Sequence, residues 1–65
     1  MNLIVNDENI TTDATTVQQL VDEQVGDAKG TAVAIDGDVV PRSEWASRVL
    51  AEGAHVDILT AVQGG

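Results

Sequence analysis

The sequence predicts an α+β domain in which one sheet of about five strands packs on a single helix, with a short helical turn besides. Three observations predict it. Apolar residues alternate at both ends of the chain, over residues 1–5 and 55–62. A three-and-four repeat runs between Val17 and Val25, and Asp36-Gly37 sits between two short apolar runs.

Met1, Leu3 and Val5 fall on one face of the first strand, and Asn6-Asp7-Glu8-Asn9 supplies turn chemistry before Ile10-Thr11-Thr12, so the chain opens on a hairpin. Thr15 suits a helix N-cap, with Gln18 three residues on to reach back as in a capping box. Val17, Leu20, Val21 and Val25 then form the buried stripe, while Gln18, Gln19, Asp22 and Glu23 form a solvated face. Gly26 ends the helix.

Thr31-Ala-Val-Ala-Ile35 reads as a third strand, and Asp36-Gly37 is the strongest hairpin signal in the chain, leading into Asp38-Val39-Val40. Pro41 has no N–H for a ladder and closes that strand; Ser43 then caps a short helical segment containing Trp45, Val49 and Leu50. Gly53 marks the turn into a last strand from His55 to Val62, with Val56, Ile58 and Val62 on one face and Leu59 and Ala61 on the other.

One helix covers one face of such a sheet. The opposite face should be polar, yet its expected members include Ile4, Ala32, Ala34, Leu59 and Ala61. An exposed apolar patch of this kind marks an interface more often than an accident.

A chain of 65 residues makes one domain and buries only roughly 60% of its unfolded surface. There is no cysteine, no Phe and no Tyr, so the core rests on branched aliphatics, alanine and Trp45, without help from disulfides or thiolate-bound metal. The longest apolar runs are far too short for a membrane span or a signal sequence, which makes a cytoplasmic protein the expectation. A formal charge of -8 opposes nucleic acid, and suits solubility or steering toward a basic partner surface.

The side chains offer little catalytic machinery. His55 is the only histidine and has no cysteine to join it; Ser43 and Ser47 lack the strand-to-helix turn of a hydrolase nucleophile. Asp36-Gly37-Asp38 lacks the further spaced ligands of a calcium loop. No bound cofactor or metal is expected.

The terminal Gly64-Gly65 pair is different. With glycine at about 7% of residues, chance places two glycines last in roughly 0.5% of chains. A frayed end is the plain reading. The chemical one is that residues without Cβ pass through a narrow channel and bring a terminal carboxylate up to a nucleotide. Transfer to AMP would give that carboxylate a good leaving group for a sulfur nucleophile to displace. No catalytic side chain on the carrier is needed for this.

Several motifs together resemble the sulfur carrier proteins of thiamine biosynthesis, a ubiquitin-like β-grasp family of about this length. They are the opening Met-Asn-Leu-Ile-Val-Asn, Thr16-Val17 with Leu20, Ala34-Ile35 before a turn, Val40-Pro41-Arg42-Ser43-Glu44-Trp45, and Ala61-Val62-Gln63-Gly64-Gly65. The Val-Pro-Arg-Ser-Glu-Trp run is the most specific. Where many members carry Gly-Asp before the last strand, this chain has Gly53-Ala54-His55.

The resemblance implies a mixed β-grasp sheet over residues 1–62, with first and last strands parallel and adjacent, and a flexible Gly-Gly tail at 63–65. Ile4 and Leu59 would then be neighbours in a partner-binding patch that also includes Ala61. It further implies that Gly65 is adenylated by an enzyme related to ubiquitin-activating enzymes, which consumes the ATP, and that its thiocarboxylate serves thiazole synthase, with Gly64 and Gln63 giving access. The carrier would be a monomer when free and a co-substrate, not an enzyme. Trp45 is read as a partly buried packing residue and Arg42 as a surface ion-pair partner. A carrier for molybdopterin or cysteine formation, a ubiquitin-like modifier and a plain binding module are the alternatives.

Overall fold

The computed structural model describes residues 1–26 and 30–60. In chain order these form β1 (Asn2–Val5), β2 (Glu8–Thr11), α1 (Val17–Gln24), β3 (Thr31–Ile35), β4 (Asp38–Val40), a 3₁₀ turn at Arg42–Glu44 and β5 (His55–Thr60). The five strands make one sheet in the order β2-β1-β5-β3-β4, antiparallel throughout except where β5 lies parallel to β1. This is the β-grasp arrangement that the family resemblance implied, with the last strand at the centre.

Both hairpins turn in two residues. Asn6 and Asp7 have φ of 51° and 67°, Asp36 and Gly37 have 50° and 88°, and paired positive φ is what a turn needs to follow the twist of its strands. The first hairpin is tighter than the sequence suggested, because Glu8 and Asn9 already pair with Val5 and Ile4.

Leu3, Val5, Val33, Ile35, Val40, Val56 and Ile58 line the inner face of the sheet, and Val17, Leu20 and Val21 of α1 close over them. Trp45 completes the core at 1% exposure, which corrects the expectation of partial burial. Its Nε1 donates to the carbonyl oxygen of Val40 at 2.9 Å, so the one polar atom of the indole is satisfied inside.

Two local expectations shift. The N-cap of α1 is Thr16, not Thr15: its hydroxyl accepts from Gln19 N at 3.2 Å, while the Gln19 carboxamide accepts from Thr15 N at 2.8 Å. The amides of Val17 and Gln18 donate to the carbonyls of Arg48 and Trp45, so the helix entry is satisfied by the loop that crosses it. That loop is the second shift. Regular 3₁₀ geometry ends at Glu44, no side chain caps it, and residue 49 forms a bridge with Thr16 instead of continuing a helix.

Candidate functional site

β5 is the strand that leads to the chain end, and it is held on both sides. Toward β3 it pairs from Ile35↔Val56 to Thr31↔Thr60. Toward β1 the amides of Ile4 and Asn6 donate to the carbonyls of Ala54 and Val56 at 3.0 and 2.9 Å. The peptide groups of alternate residues thus face β1, and Ile58 is next in the series.

At that point β1 has already turned away. The side chain of Asn6 takes over: Ile58 N donates to Asn6 Oδ1 at 2.9 Å, and Asn6 Nδ2 donates to Ile58 O at 3.2 Å. A carboxamide has the donor and acceptor of a peptide group, and here it extends the ladder by one step. The sequence reading placed Asn6 in a turn and missed this role. Its partner lies 52 residues away, and no local pattern signals it.

The first residue of β5 is anchored by Asp36. The Asp36 carboxylate accepts from His55 N at 3.2 Å and lies 3.8 Å from the His55 ring, with both side chains largely in solvent. His55 is therefore a surface residue at the start of the strand. No hydrogen bond joins it to Ser43 or Ser47 among the described residues, and no three metal-binding side chains come together there.

The outer face of the sheet exposes apolar side chains. Leu59 is 68% exposed and pairs with Ala32; Val39 is 74% exposed and pairs with Ala34. These four form one patch across β5, β3 and β4. Ile4 lies on the same face but pairs with His55. Four residues of β5 separate the levels of Ile4 and Leu59, about 13 Å of strand, with Asp57 between. That spacing corrects the expectation that the two are neighbours, and adds Val39 as a member that the sequence reading left out. Ala61, Gln63, Gly64 and Gly65 lie outside the described residues, as does the expected continuation of β5 to Val62.

Arg42 sits over the Trp45 ring, its guanidinium carbon 5.9 Å from the ring centroid, within reach of a cation–π contact. Among the described residues no carboxylate is within ion-pair distance of it, so the surface ion pair expected for Arg42 is replaced by stacking. Arg42 and Trp45 both serve the body of the domain. No helix among the described residues is long and apolar enough to cross a membrane.

Comparison with known proteins extends this reading to the whole chain. The "Sulfur carrier protein ThiS" of Escherichia coli (strain K12) is 29% identical over 66 residues, with both chains covered in full. The crystal structure of the thiamine biosynthesis protein ThiS from Geobacter metallireducens superposes with a TM-score of 0.82 at 29% identity, again over 100% of both chains. A solution structure of a thiamine biosynthesis protein from the same organism gives 0.80 over 100% of this chain and 88% of that one. The model of the ThiS family matches residues 2–65, and the chain belongs to that family.

Proposed function

We propose that this protein is a sulfur carrier of thiamine biosynthesis whose reacting group is the carboxylate of Gly65. A carboxylate oxygen attacks the α-phosphorus of ATP and pyrophosphate leaves, giving the acyl adenylate. A hydrosulfide-level nucleophile then attacks the acyl carbon and AMP leaves, giving the thiocarboxylate. The ATP is consumed by a partner adenylating enzyme related to ubiquitin-activating enzymes, and thiazole synthase is the acceptor. The carrier is a co-substrate, monomeric when free and cytoplasmic.

The observation that supports this most is the match of the ThiS family over residues 2–65, a span that includes the Gly64-Gly65 end. The fold agrees, since β5 is the central strand and leads directly into residues 61–65. Five residues extend at most about 18 Å from Thr60. An enzyme holding Gly65 at that range is in reach of Leu59, so the outer face around Leu59, Ala32, Ala34 and Val39 is the docking patch, with Ile4 farther along the same face, and Gln63 and Gly64 are the slender approach.

Mass spectrometry of the intact protein from cells grown without thiamine tests the reading. A terminal oxygen-for-sulfur exchange is expected, and it should be lost when Gly65 is deleted or followed by one extra residue, while the fold is kept. Isopeptide adducts of higher mass would instead identify a modifier. Unchanged sulfur loading after deletion of Gly65 would overturn the carrier mechanism.

A further inference from the structure

We infer that Asn6 is a positioning residue for the carrier reaction: its carboxamide stands in for a missing residue of β1 and fixes the direction in which β5 delivers the chain end. The inference rests on the carrier reading and adds to it a residue far from Gly65 in sequence.

The geometry is specific. β1 ends at Val5, and Asn6 and Asp7 turn the chain away with φ of 51° and 67°. Beyond Val56, β5 would therefore keep hydrogen bonds on its β3 side alone. Asn6 prevents this by offering Ile58 both an acceptor and a donor, at 2.9 and 3.2 Å. The two bonds arrive two residues before Thr60, the last described residue of β5, and they act across the strand axis. Pairing on one side alone leaves a strand freer to twist, and bonds on both sides hold it across its axis. Delivery of an acyl group into a nucleotide site depends on that line, because a misplacement of about 1 Å in a reacting geometry can cost roughly 100-fold in rate.

The same residue explains why asparagine suits the turn. Its positive φ is tolerated by Asn and Gly, yet glycine would supply the turn without the carboxamide. Asn6→Gly therefore keeps the positive φ of the turn and deletes the two bonds, at the entropic cost of a glycine. Asn6→Asp keeps an acceptor for Ile58 N and loses the donor to Ile58 O. Thr12→Val is the control for stability alone: Thr12 is 5% exposed, its hydroxyl accepts from Ala14 N and donates to Glu23, and among the described residues no hydrogen bond joins it to β5.

The experiment presents the unaltered chain and these three variants to the cognate adenylating enzyme and follows ATP–pyrophosphate exchange against carrier concentration. Amide exchange by NMR is read in parallel. In Asn6→Gly the Ile58 amide should exchange at least about 5-fold faster, as loss of one hydrogen bond implies, with α1 and the β1–β2 pairing unchanged. Its kcat should fall about 10-fold or more, with KM nearly constant. Asn6→Asp should fall between the two, and Thr12→Val should lower Tm without lowering kcat. Unchanged kcat in Asn6→Gly, or an equal loss in Thr12→Val, overturns the positioning role. Absence of exchange with the unaltered chain overturns the carrier reading, and the inference with it.

Discussion

The indole of Trp45 donates its only hydrogen bond to the carbonyl oxygen of Val40, five residues back, and so fastens the 3₁₀ turn to the end of β4. Because the ring is also the largest fully buried side chain, one residue supplies both packing and polar satisfaction for this corner of the core.

Trp45→Ala is expected to unfold the domain. Truncating a buried Trp costs about 3–5 kcal/mol, and a domain of this length holds only roughly 3–10 kcal/mol in total. Trp45→Phe keeps most of the packing and removes the indole hydrogen bond to the Val40 carbonyl, a loss of about 0.5–1.5 kcal/mol. Urea titration followed by circular dichroism distinguishes the two. A fully folded Trp45→Ala protein with an unshifted midpoint would contradict the packing role.

The N-cap assignment separates two adjacent threonines. Thr16→Ala removes the hydroxyl that accepts from Gln19 N and should cost about 1 kcal/mol. Thr15→Ala loses only an exposed contact with the Gln19 carboxamide and should stay within about 0.5 kcal/mol of the parent. Thermal unfolding of both reads the difference, and a larger loss at Thr15 would move the cap back to it.

Gly37 offers a test of backbone strain free of packing. It has φ of +88°, and a Cβ added there meets nothing within 4 Å. Gly37→Ala should therefore cost about 1–2 kcal/mol through the left-handed conformation alone. Denaturant unfolding measures it, and a neutral result would mean that the β3–β4 turn accepts another geometry.

Why some of this was legible in the sequence and some was not follows from how far each signal reaches. Strand and helix periodicity is local, so Leu3 and Val5, Val17 with Leu20 and Val21, and Val56 with Ile58 announce their inward faces directly. The turn at Asp36-Gly37 is equally local. Between Thr15 and Thr16 either residue has cap chemistry; the choice falls to tertiary bonds, Leu50 N to Thr15 O and the Thr16–Val49 bridge. The same bonds draw residues 48–50 out of the helix that their spacing suggested. In the candidate site, the apolar outer face could be read from alternation, but the stagger of β5 against β1 could not. Parallel register depends on contacts between distant segments, which is why Ile4 proved to pair with His55, and why the carboxamide bridge from Asn6 to Ile58 left no trace in the pattern.

The outer face gives the last prediction. Leu59 is 68% exposed, so Leu59→Asp removes little buried area and should change stability by less than about 1 kcal/mol. In a docked complex the same side chain would be enclosed, and a carboxylate there would meet an apolar surface with no counter-charge, beside an Asp57 already in place. Partner affinity should then fall by about 2 kcal/mol or more, the loss typical of an anchor residue. Ile4→Asp, about 13 Å along the sheet, should cost less if the contact centres on Leu59, Ala32, Ala34 and Val39. Isothermal titration of the adenylating enzyme with both variants decides it. Equal losses would widen the interface toward β1; unfolding of Leu59→Asp without a specific binding defect would remove the face from the mechanism.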